Sequence, residues 1–89
     1  MRSEKITIIN KLGLHARAAA KMVATASRFG SKIELNKGDK IANAKSIMAV
    51  MMLAATCGTE IEITVDGDDE DAAMTAIIDL INDRFQEEE

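Results

Sequence analysis

Apolar and polar positions alternate along some stretches of the chain and recur at helical spacing along others. Lys5 to Ile9 reads as a strand, and Leu14 to Phe29 as a helix whose core face is Ala19, Met22, Val23 and Ala26. Gly30 marks the end of that helix. Lys32 to Asn36 alternates, with Ile33 and Leu35 on one side, and Lys37-Gly38-Asp39 turns the chain into a short strand, Lys40 to Asn43. Ser46 to Ala55 reads as a second helix, with Val50, Leu53 and Ala54 as its core positions. Glu60 to Asp66 is the clearest strand, Ile61, Ile63 and Val65 opposing Glu60, Glu62 and Thr64. A last helix runs from about Asp69 to Phe85, its stripe formed by Met74, Ile77, Ile78, Ile81 and Phe85. Asp68 to Asp71 complement its N-terminus. The order β-α-β-β-α-β-α, with strands oily on one side only, predicts a two-layer α+β sandwich: a four-stranded antiparallel sheet covered on one face by three helices.

Composition narrows the picture. The 89 residues suit a single domain over 1–89, with an acidic tail at about 86–89 that reads as frayed. Only Phe29 and Phe85 are aromatic, so the core is expected to be aliphatic. The net charge of −4 conceals a division: residues 1–45 hold ten of the eleven Lys and Arg, and residues 46–89 hold twelve of the fifteen acids. Net acidity and the want of an aromatic stacking platform argue against nucleic-acid binding. One cysteine, Cys57, excludes an internal disulfide, and one histidine excludes a paired-histidine metal site. The longest apolar run, Ile47 to Ala55, is too short for a bilayer, and no signal-peptide stretch opens the chain. A soluble cytoplasmic protein without metal or cofactor is expected.

Candidate chemistry gathers at one place. His15 opens the first predicted helix, where the first amides lack intrahelical partners and the dipole is positive. Arg17 adds a fixed cation two residues on. These ingredients suit a histidine that accepts a phosphoryl group, with the leading helix amides and Arg17 holding its oxygens; the plainer alternative is a surface histidine at a helix start. Arg17, Lys21, Arg28 and Lys45 are expected to ring that site, leaving the acidic half as a solvated surface away from it. The run Ile47 to Ala55 is apolar all round, so it is either wholly buried or presents Met48, Met51 and Met52 as an adaptable contact surface. Ser46, just before it, is a natural N-cap and a conceivable phosphorylation site.

Leu12-Gly13-Leu14-His15-Ala16-Arg17-Ala18-Ala19 resembles the active-site motif of the HPr family, the histidine-containing phosphocarriers of the bacterial phosphotransferase system. Asn43-Ala44-Lys45-Ser46-Ile47-Met48 resembles the family's second signature, around its regulatory serine. The likeness implies an open-faced sandwich and a carrier that is itself phosphorylated rather than an enzyme. It implies transfer from phospho-enzyme I to Nδ1 of His15 and onward to the A-type domain of a sugar-specific enzyme II. Ala16, Arg17 and Ala18 would hold the phosphate. The partner surface would comprise Ala16, Ala20, Ala24, Ile47, Met48 and Met51, with Ser46 open to an HPr kinase/phosphorylase and the chain a monomer. Ala18 stands where many members have proline, which leaves open the nitrogen-related regulatory branch. A non-catalytic interaction module is the alternative from another class.

Overall fold

The computed structural model describes residues 1–87. Its elements are β1 (Arg2–Thr7), α1 (Ala16–Ala26), β2 (Lys32–Lys37), β3 (Lys40–Asn43), α2 (Ile47–Met52), β4 (Glu60–Asp66) and α3 (Glu70–Asn82), followed by a tight turn, Arg84–Gln86. The sheet runs β1-β4-β2-β3 with every neighbouring pair antiparallel. β4 lies between β1 and β2, which the α1 crossover therefore leaves parallel but apart. This is the two-layer α+β arrangement that the alternation implies.

The alternating residues decide which face is covered. Ile33 and Leu35 of β2, Ala42 of β3, and Ile61, Ile63 and Val65 of β4 are buried on one side of the sheet. They meet Ala18, Ala19, Met22 and Ala26 of α1, Val50 and Leu53 from α2 and its end, and Ala73, Met74, Ile77 and Ile81 of α3. The opposite face stays polar, with Ser3 and Asn36 bonded to Thr64 across the strands. Alanine along the buried face of α1 lets that helix sit close to the sheet. Val23, expected in the core, is only half-buried at its margin, and Ala18 takes a buried position instead.

Four elements differ most from the expectation. β1 begins at Arg2 rather than Lys5, because Arg2 and Glu4 pair opposite Val65 and Ile63 on the inner face near the sheet edge. There Arg2 satisfies its charge on Glu4 (3.6 Å) and Asp71 (3.1 Å). α1 spans Ala16–Ala26, since His15 is still extended (ψ 178°) and Ser27 closes the helix. α2 is six residues, not ten: Ala54 is exposed and left-handed (φ 55°), and the Lys37 ammonium donates to the Leu53 and Ala54 carbonyls at 3.3 and 3.1 Å. α3 stops at Asn82, and Phe85 reaches the core from the separate turn.

Asp69 ties the start of α3 to the chain entering β2. Its carboxylate accepts from the Ser31 hydroxyl, the Gly30 amide (2.9 Å) and the Ser31 amide (3.0 Å). The Ser31 hydroxyl bond, then the Gly30 amide, hold the Asp69 carboxyl below its ordinary pKa, against an opposing effect of desolvation. Gly67 lies against Ser31 in the same corner; a Cβ there would stand 2.7 Å from the Ser31 Cα.

Candidate functional site at the N-terminus of helix α1

The segment before α1 is pinned from two directions. Gly13 adopts φ +65° and packs so closely on the chain after α2 that a Cβ would lie 2.5 Å from the Ala55 carbonyl oxygen. That oxygen accepts the Leu14 amide at 2.9 Å, and Leu14 itself is buried. Asn10, wholly buried, donates to the Gly13 carbonyl at 2.8 Å. The loop therefore delivers His15 to the helix entrance in a fixed position.

His15 is the N-cap of α1, and its side chain makes no capping bond. Its carbonyl accepts the Ala19 amide at 2.8 Å, the first rung of the helical ladder. The amides of Ala16, Arg17 and Ala18 precede that rung and have no i−4 partner. Ala16 and Arg17 are exposed, whereas the Ala18 side chain is buried, so only its backbone could serve an anion. Arg17 forms no hydrogen bond or ion pair among the described residues. An open cleft of about 810 Å³ lies here, and His15, Ala16, Arg17, Lys21, Gln86 and Glu87 are among the residues that line it.

The sequence reading missed what Gln86 and Glu87 bring to that cleft. Glu87 does not fray: its Oε2 meets His15 Nε2, and its Oε1 accepts from Asn10 Nδ2 at 3.0 Å. The rest of the acidic tail, Glu88 and Glu89, lies outside the described residues. Burial raises the Glu87 carboxyl pKa, but hydrogen bonds from Asn10 and His15, with the charges of His15 and Lys21, outweigh it and leave the group below its ordinary value. Lys21 donates to the Phe85 carbonyl at 2.6 Å and so braces the same turn.

The expected ring of cations is only partly assembled. Lys21 joins Arg17 at the cleft, but Lys45 donates to the Phe29 carbonyl (2.8 Å) and Arg28 covers the Phe29 ring (5.5 Å), both past the opposite end of α1. Beside the cleft, Ala20 and Ala24 continue the exposed line begun by Ala16. Ile47, Met48, Met51 and Met52 are exposed on α2, with Met48 at 69 %, so the apolar run presents one face outward while Val50 and Leu53 are buried. Leu12, also exposed, lines the cleft; the motif includes it, but nothing in the periodicity marked it as a contact residue. Ser46 caps α2, its hydroxyl accepting the Ala49 amide at 3.3 Å. Among the described residues no group of three His, Cys, Asp or Glu side chains could hold a metal ion, and no helix is long and apolar enough to cross a membrane.

Residues 2–83 match the family model described as the PTS HPr component phosphorylation site. The chain belongs to the HPr phosphocarrier family of the phosphotransferase system. It is 55 % identical over 89 residues to the phosphocarrier protein HPr of Neisseria meningitidis serogroup A, with both chains covered in full. Among solved HPr structures, HPr-C-His from Thermoanaerobacter tengcongensis superposes with a TM-score of 0.96 at 47 % identity, covering all of both chains. The HPr dimer from the same organism gives a TM-score of 0.79 at 47 % identity, over 98 % of this chain and all of that one. HPr proteins carry phosphoryl groups rather than catalyse a reaction of their own.

Proposed function

We propose that this chain accepts a phosphoryl group from phospho-enzyme I on Nδ1 of His15 and passes it to the A-type domain of a sugar-specific enzyme II. The observation that carries the reading is the extended N-cap conformation of His15, half-buried directly before three amides without helical partners and beside Arg17. In the transfer, the Nδ1 lone pair forms the new N–P bond while the donor's bond to phosphorus breaks and its electron pair stays with the donor. The amides of Ala16, Arg17 and Ala18 and the Arg17 guanidinium take up the charge of the phosphoryl oxygens. The second transfer is the same step with His15 as leaving group, and it needs no cofactor.

The exposed faces of α1 (Ala16, Ala20, Ala24) and α2 (Ile47, Met48, Met51) flank His15 and suit docking of several partners in turn. A monomer in the cytoplasm leaves both faces open. Phosphorylation of Ser46 by an HPr kinase/phosphorylase would set a dianion beside Met48, on that docking face, while the helix amides it caps tolerate the charge. The test is incubation with phosphoenolpyruvate and enzyme I, then a chase with an A-type domain. Acid-labile phosphate should appear on the chain, move to the acceptor, and be missing in His15→Ala. Labelling that persists undiminished in His15→Ala would overturn the proposal.

A further inference from the structure

We propose that Glu87 is a positioning residue for His15: its carboxylate accepts the hydrogen bond from Nε2–H and so keeps the reactive lone pair on Nδ1. The inference rests on His15 being the phosphoryl acceptor, and it concerns a residue beyond the span 2–83 that the family model matches. An ionised carboxylate has only lone pairs to offer, so the ring nitrogen facing it must carry the proton. In a neutral imidazole the other nitrogen is then the nucleophile. Nδ1 makes no hydrogen bond among the described residues.

The carboxylate is held on both sides. Its second oxygen accepts from Asn10 Nδ2, the same nitrogen that is anchored on the Gly13 carbonyl. Upstream, Phe85 is sunk completely in the core and Lys21 clamps its carbonyl. Placing the chain this way requires three successive non-glycine residues in the left-handed region: Arg84 (φ 52°), Phe85 (54°) and Gln86 (65°). Such conformations persist only where the surroundings impose them, and here they bring one carboxylate onto one imidazole, 72 residues away in sequence.

The contact strengthens as transfer proceeds. When Nδ1 bonds to phosphorus the ring becomes cationic with its proton still on Nε2, and Glu87 faces that growing charge. When the phosphoryl group leaves for the next acceptor, the electron pair returns to Nδ1 and the ring is neutral again. No proton has to leave Nε2 in either direction.

The experiment combines NMR of the full chain labelled with ¹⁵N-histidine, near pH 8 where imidazole is neutral, with single-turnover transfer from phospho-enzyme I. Wild type should show the Nε2–H tautomer with that proton visible and slow to exchange. Glu87→Ala should lose the proton signal, move both ring nitrogens toward a mixed-tautomer average, and slow transfer about 10- to 100-fold, the range for a hydrogen bond to a charged group. Glu87→Gln has no charge and one acceptor oxygen in place of two; with that oxygen on Nε2–H, and the bond from Asn10 given up, it should keep the tautomer and recover part of the rate. Unchanged nitrogen shifts and an unchanged rate in Glu87→Ala would overturn the proposal, as would faster transfer, which would make Glu87 a cover over the site. A wild-type chain that takes up no phosphate would sink the carrier reading instead, while the NMR result would still decide the tautomer.

Discussion

Gly13→Ala adds a single methyl group and should have a large effect. Gly13 sits at φ +65°, where an L residue costs about 1–2 kcal/mol. The new methyl would also stand 2.5 Å from the Ala55 carbonyl oxygen and 2.8 Å from the Thr56 Cα. Both are backbone atoms, so no rotamer change relieves the clash. The loop must back away, and the Leu14–Ala55 hydrogen bond at 2.9 Å is the first contact to open. Stranding its buried groups adds about 1–3 kcal/mol. Together the loss is about 2–5 kcal/mol, which lowers Tm by at least about 8 °C in a domain of this size. Gly38→Ala is the control: Gly38 has a similar φ of +60° but nothing within 4 Å of its hypothetical Cβ. Only the backbone cost of about 1–2 kcal/mol applies there. Urea and thermal unfolding of both variants measure the difference. Equal destabilisation at the two positions would refute the claim that close packing against Ala55 fixes the loop carrying His15.

Asp69→Asn should destabilise the fold near neutral pH and not in acid: the folded-state pKa of Asp69 is lowered, so its contribution is complete above the unfolded value of about 3.9 and fades as pH falls through the folded one. Urea midpoints of wild type and variant should therefore converge in acid; a constant gap would contradict the bonding from Ser31 and Gly30. Ser46→Asp should keep the fold, because an Asp can still cap α2, yet weaken binding of enzyme I in calorimetry; unchanged affinity would remove α2 from the docking face. Phe85→Ala should cost about 3–5 kcal/mol in urea unfolding; a cost under about 1 kcal/mol would mean that the turn after α3 is not anchored in the core.

Alternation and helical spacing were enough for the architecture because Ile33 and Leu35 of β2 and Ile61, Ile63 and Val65 of β4 are buried while the residues between them are not. They failed at β1, where Arg2 and Glu4 lie on the inner face at the sheet edge and find ionic partners in place of oil. They overran α2, because Ala54 looks like a helix residue and the lysine that caps the preceding carbonyls comes from β2. His15, Arg17 and Ser46 were legible through their places at helix starts. The cation ring was over-drawn, since charge along the sequence does not say which end of α1 a side chain reaches. Glu87 was invisible: an acid among acids at a chain end has no period, and its partner is 72 residues away. The strained turn that carries it is built of Arg, Phe and Gln, residues with no preference for left-handed backbone.

The central claim is that the phosphoryl group resides on Nδ1 of His15. Phosphorylating the ¹⁵N-histidine-labelled chain with phosphoenolpyruvate and enzyme I, then reading the ring nitrogens by NMR under mild alkali, locates it directly. The expected spectrum has phosphorus coupled to Nδ1 while Nε2 remains the nitrogen facing Glu87. Phosphorus on Nε2, or a His15 ring unchanged in a chain that carries phosphate, would contradict it.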